Sequence, residues 1–163
     1  MQTFLPETLF SRCAQVLDQD RLGKQRVEAW QILNINVRRA TTPKHIKIAW
    51  ENHPAVLMWR GYELALIKYG LAMCHDWKHN LKFKDSLTEK FLDMHLRLCA
   101  AYPEISEQLP PWIDDDKVQA THRGMLFHKD PKYYQMYSKY SWVDEYFWPV
   151  TKTDSCYPIG ELK

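Results

Sequence analysis

The sequence predicts an all-α fold, a compact single-domain helical bundle that ends in an irregular aromatic C-terminal tail. Three observations carry this expectation. Apolar residues recur at helical spacing through most of the chain, no strand-rich segment or internal repeat interrupts them, and proline falls where helices would start or stop. With 163 residues, one domain over 1–163 is large enough to bury a real core.

A short helix is expected over residues 6–17, followed by a longer one through Glu28 to about Val37. On that second helix, at about 100° per residue, Arg21, Lys24, Gln25 and Glu28 share one stripe, while Leu22, Ala29, Trp30, Leu33 and Val37 share another. The apolar stripe would pack inward, leaving a carboxylate ringed by cations facing outward. Residues 38–52, with Thr41-Thr42-Pro43, read as a basic loop. Pro54 suits a first helical turn, and the apolar positions from Val56 to Met73 predict one long helix over 54–79. A further helix is expected over 86–102, opened by a Ser86/Glu89 capping box and stopped by Pro103. Leu109-Pro110-Pro111-Trp112 forms a rigid connector. A helix over 115–128 then has Asp114, Asp115 and Asp116 at its positive dipole end.

Charge and composition narrow the function. The net charge is only +2, yet residues 1–50 carry eight Lys or Arg against four Asp or Glu, so basic character gathers at the N-terminal end. Seven Trp, nine Tyr and six Phe can fill a core or stack on bases. No apolar run reaches the length of a membrane span, and the start lacks the basic-then-apolar order of a signal peptide. Cys13, Cys74, Cys99 and Cys156 are scattered without metal spacing, which fits a reduced, cytoplasmic protein.

Three segments interleave polar or basic groups with aromatics: Arg21 to Glu28, Asn52-His53-Pro54, and Thr121-His122-Arg123-Gly124 through Lys129 to Tyr133-Tyr134. Cations that hold phosphates and rings that stack on bases suit a nucleic-acid site, and a solvated helix face followed by core tyrosines reads equally well from the residues alone. Glu28 by itself could simply pair with Lys24 one turn away. His53 could orient a phosphate or cap the helix that follows it. A rival constellation is His75 and His79, one turn apart, as in zinc sites, although no third ligand is spaced convincingly. Trp142, Trp148, Tyr146 and Phe147 fit core packing better than a wedge between bases.

Taken in order, the start Met1-Gln2-Thr3-Phe4-Leu5-Pro6, then Leu17-Asp18…Leu22…Glu28-Ala29, Asn52-His53-Pro54 and His122-Arg123…Leu126…Lys129…Tyr133-Tyr134 resemble the pyrimidine-dimer DNA glycosylase/AP-lyase family, the endonuclease V type first known from phage. The Arg-Leu-Gly-Lys-Gln-Arg-Val-Glu run is similar to a divergent subgroup. The resemblance implies a compact helical enzyme that needs no cofactor and no metal. Acting as a monomer on damaged double-stranded DNA, its N-terminal α-amine attacks C1′ of a damaged nucleotide with the help of one glutamate, matched here by Glu28. An α-amine ordinarily titrates near 7.7–8.0, so part of it is neutral and nucleophilic at cellular pH, and a carboxylate stabilises the cationic imine that forms. The resemblance further implies that Arg21, Lys24, Arg26, Arg123 and Lys129 hold phosphates, with His53, His122 and Tyr133 at the same interface. Founding members expose a threonine amine after losing methionine. Here Gln2 is large for that excision, so Met1 and Gln2 both belong to the catalytic set: the Met1 amine is the nucleophile, or lyase activity is absent. The alternatives are a non-catalytic nucleic-acid-binding domain on the same scaffold, or a metal-dependent hydrolase built on His75 and His79.

Overall fold

The computed structural model describes residues 1–105 and 107–149. Six α-helices follow one another: α1 (Phe10–Val16), α2 (Gln19–Thr41), α3 (Pro54–Trp59), α4 (Glu63–His79), α5 (Thr88–Ala101) and α6 (Asp116–Lys129). A 3₁₀ turn, Gln135–Tyr140, comes after them, and no strand occurs among the described residues. The fold is all-α, as expected. Helix α4 is the hub: α1, α2 and α5 pack against it, α3 lies on α2, and α6 carries the 3₁₀ turn. Its Leu64, Leu66, Ile67, Tyr69 and Met73 are buried on several sides, as a central helix requires.

Several boundaries differ from expectation, each for a local reason. The helix expected over 54–79 is two helices, because Gly61 sits at φ 87° and turns the chain between α3 and α4. Glu63 secures that turn by accepting the Gly61 amide at 3.0 Å. Helix α2 runs on to Thr41, into the stretch expected to be loop, and Arg38 and Arg39 suit its negative C-terminal end. The Ser86/Glu89 capping box is not what starts α5. Asp85 accepts the amides of Leu87 and Thr88 instead. Asp115 caps α6 by accepting the Lys117 amide.

The first helix is shorter than expected, beginning at Phe10, because Thr3, Phe4, Leu5 and Pro6 form a buried segment without regular structure. With no ladder available, side chains from four other elements satisfy it. Trp59 Nε1 donates to Thr3 Oγ1 at 2.8 Å, and Phe4 N donates to Gln25 Oε1 at 2.8 Å. Tyr69 donates its hydroxyl to Phe4 O and to Gln25 Oε1, and Leu5 N donates to His122 Nδ1 at 2.7 Å.

Where α4 crosses α5, Gly70 admits the ring of Phe91, three of whose atoms would lie 2.3–2.7 Å from an added Cβ. Helix propensity favours alanine over glycine by about 1 kcal/mol. Phe91 is fully buried and fixed edge-on against Trp30, however, so overpacking of about 1–3 kcal/mol outweighs the propensity gain. Gly70→Ala is therefore expected to lower the urea midpoint. An unchanged or raised midpoint would show that the Phe91 ring can yield.

Candidate active site

The buried segment brings the start of the chain against α2. Gln2 N donates to Glu28 Oε2 at 2.6 Å, so the first peptide group is tied to the carboxylate. Around this contact lies a cleft of about 590 Å³. Met1, Gln2 and Glu28 line it together with Arg21, Lys24, His53 and Lys129, so α2 and α6 both bring cations to one carboxylate. The N-terminal charge and Glu28 both reach His53 electrostatically: burial and the N-terminal cation lower its pKa, while Glu28 opposes them. His53 also caps α3 through Nδ1, which accepts the Ala55 amide at 3.1 Å, so the capping reading of this residue holds.

Two aromatic residues of the tail belong to the cleft as well. Tyr146 and Trp148 line it, and Tyr146 packs on Phe4 and His122. Burial, reinforced by the Glu28 charge, pushes the Tyr146 hydroxyl up to about 12, so it stays protonated. Sequence reasoning placed these residues in general core packing, and no spacing signal connects residue 146 to residue 28. Trp142 and Phe147 are exposed instead.

Other expected site residues are placed elsewhere. Gln25, assigned to the outward stripe, points inward and holds Phe4 and Tyr69. His122, expected at a DNA interface, is fully buried, and its pKa falls to about 3 through loss of solvation. Its Nδ1 accepts the Leu5 amide, and Nε2 lies 3.2 Å from the Gln2 carboxamide, so it positions the N-terminal segment rather than touching a substrate. Arg123 pairs with Glu7 at 3.4 Å, donates to the Tyr140 hydroxyl and lies 5.9 and 5.6 Å from the Tyr137 and Tyr140 ring centres. Arg21 pairs with Asp18 at 2.6 Å while still edging the cleft. Tyr133 is exposed but is not among the lining residues.

Arg26 forms an ion pair with Asp85, whose side chain is 1% exposed, and lies over the Trp77 ring at 4.2 Å. Burial tends to raise the Asp85 pKa, but hydrogen bonds from Thr88 and Leu87 and the Arg26 charge hold it below the usual value. Arg26 thus joins α2 to the start of α5.

His75 and His79 do come together, their rings 4.6 Å apart. Among the described residues, however, no group of three or more His, Cys, Asp or Glu could hold a metal ion, so the hydrolase alternative lacks a ligand set. Cys13, Cys74 and Cys99 are free thiols, and burial pushes Cys13 and Cys74 to about 12. Cys156 lies outside the described residues. No helix among the described residues is long and apolar enough to cross a membrane.

A family model described as pyrimidine dimer DNA glycosylase matches residues 1–89. The chain belongs to the pyrimidine dimer DNA glycosylase family. No curated protein and no solved structure matches it. As a member of this DNA-repair family it acts on DNA, and the matched stretch supplies Met1, Gln2, Arg21, Lys24, Glu28 and His53. Lys129, Tyr146 and Trp148 line the same cleft from beyond the match.

The two kinds of cation can be separated by experiment. Arg26→Gln strips the partner from a buried carboxylate, an expected loss of about 3 kcal/mol in urea unfolding, with the salt slope of DNA binding unchanged. Lys24→Gln is expected to leave stability alone and reduce that slope by about one. A reduced slope with Arg26→Gln would instead mark Arg26 as a phosphate contact.

Proposed function

We propose that this glycosylase is also an AP lyase and works through an amine at its N-terminus, with Glu28 as the assisting carboxylate. The observation that carries this reading is the 2.6 Å contact between Gln2 N and Glu28 Oε2. If Met1 is retained, the α-amine lies one residue from that contact. If Met1 is removed, the nitrogen already bonded to Glu28 becomes the α-amine. In both cases the start of the chain and the carboxylate share one cleft with Arg21, Lys24 and Lys129, which suit the flanking phosphates.

The neutral amine attacks C1′, and the bond from C1′ to the base breaks, its electron pair leaving with the base, which takes up a proton. Opening of the sugar ring leaves a cationic imine between the amine and C1′, and Glu28 stabilises that charge. The same carboxylate then takes a proton from C2′. The electrons of that C–H bond form the C2′–C3′ double bond, and the 3′-phosphate departs, breaking the strand. Water hydrolyses the imine and frees the amine. Met1 and Gln2 are the candidate nucleophiles.

Borohydride reduction during incubation with an abasic-site duplex tests the reading. A covalent adduct is expected, and mass mapping of its N-terminal peptide identifies the residue that reacted. DNA binding without any adduct would favour the non-catalytic nucleic-acid-binding domain.

A further inference from the structure

Asp20, Lys24 and Glu28 follow one another at four-residue spacing and so form a ridge along α2. The ridge borders two cavities. One is the cleft described above. The other, of about 530 Å³, is lined by the same three residues together with Gly23, Val27 and Trp77. Lys24 therefore serves both.

Trp77 fastens the loop between α4 and α5 to this second cavity. Its ring lies against Gly23, where an added Cβ would sit 3.0 Å from the indole. Its Nε1 donates to the Lys84 carbonyl at 3.0 Å, and its own carbonyl accepts the Phe83 amide at 3.2 Å. The Phe83 ring stacks on the indole at 4.4 Å. The charges of the loop are sorted. Asp76 is buried and accepts from Asn80, while Asp85 is taken up by Arg26, Thr88 and Leu87. Lys82 and Lys84 are exposed, and neither is paired with an acid among the described residues. Lys82 also sits at φ 61°, a left-handed conformation that a long side chain rarely adopts. Glycine or asparagine would fill that position at less cost, so a lysine there points to work done by its charge.

We propose that this loop is a second contact for the DNA backbone, with Lys82 and Lys84 holding phosphates of the duplex that flanks the lesion. A duplex seated in the cleft continues past it on both sides, and the loop is joined to the cleft through the ridge that carries Lys24. Helices packed as α2 and α4 are lie about 8–10 Å apart, and a strand advances about 3.4 Å per phosphate. The loop thus falls about two to three phosphates beyond Lys24. The inference rests on the family's action on DNA and is independent of the amine chemistry proposed at Glu28.

Binding to a pyrimidine-dimer duplex, titrated across a range of salt, tests the contact. The double variant Lys82→Gln/Lys84→Gln is expected to lower the salt slope by about two and to weaken binding about ten- to thirtyfold near physiological salt. The position of the loop gives a sharper check. On duplexes with the lesion about two base pairs from one end, prepared for each end in turn, one of the two should bind wild type and variant alike. Lys82→Gly removes the charge while easing the backbone. It should lower the slope by about one with the urea midpoint unchanged or raised. An unchanged slope in the double variant would overturn the contact. So would wild-type DNA binding by Lys82→Gly, or an equal loss on every duplex wherever the lesion lies.

Discussion

Glu28→Gln is expected to reduce strand cleavage at an abasic site by about 10²–10⁴-fold, the usual contribution of a positioned acid–base group. The substitution is close to isosteric, and the new carboxamide oxygen can still accept the Gln2 amide that Glu28 accepts now. The N-terminal segment should therefore stay in place, and the loss should follow from the missing charge and proton acceptor. Single-turnover cleavage and the yield of borohydride-trapped adduct are the measurements, with DNA affinity at fixed salt as the control. Wild-type cleavage by the variant would remove Glu28 from the chemistry. Loss of affinity in parallel with rate would recast it as a binding residue.

Mild acid is expected to loosen the N-terminal segment before it affects the rest of the molecule. His122 is buried as the neutral imidazole, its pKa lowered from 6.5 to about 3 by loss of solvation. The unfolded chain therefore binds this proton first, and stability rises with pH across that interval. The contribution is complete above about pH 6.5 and falls by about 1.4 kcal/mol for each pH unit below it, about 4–5 kcal/mol by pH 3. That is a large part of the stability of an ordinary domain. His53, also lowered, acts in the same direction. Asp18 and Asp85 are held below their usual value of 3.8. Burial pulls both carboxylates upward, but the hydrogen bonds and charges of Tyr134 and Arg21 at Asp18, and of Thr88 and Arg26 at Asp85, outweigh it. Their stabilisation is lost only below about pH 3.8, so the interval above it isolates the imidazoles. Urea midpoints at pH 7.5, 6 and 5 should fall in sequence for the wild type and change much less for His122→Gln. A flat wild-type profile would mean that His122 is solvated.

The helices were legible because their patterns are local. Apolar spacing along α2, α4 and α5 identifies each without knowledge of its neighbours. The turn at Gly61 was hidden because apolar residues continue in phase on both sides of it, as Leu57 and Leu64 do seven residues apart. Gln25 was assigned to the wrong side because the helical wheel sorts residues by polarity, and a glutamine serves equally well facing solvent or satisfying a buried backbone. The cations were harder. Arg26 and Arg123 find their acidic partners 59 and 116 residues away, so nothing in their own helices distinguishes them from Lys24. Glu28 was visible through its helix and its resemblance, whereas the clamp on residues 3–5 consists entirely of contacts distant in sequence.

That clamp also sets an order of events. The Leu5 amide waits for His122, which lies 117 residues further along, so this contact is among the last to form. A partly made chain can form α2, α3 and α4 and hold Thr3 and Phe4 through Gln25, Trp59 and Tyr69, yet the Leu5 amide stays unsatisfied until α6 exists. Seating of the segment is thus completed only when most of the polypeptide exists, and the contact between residues 5 and 122 becomes a report that folding is finished.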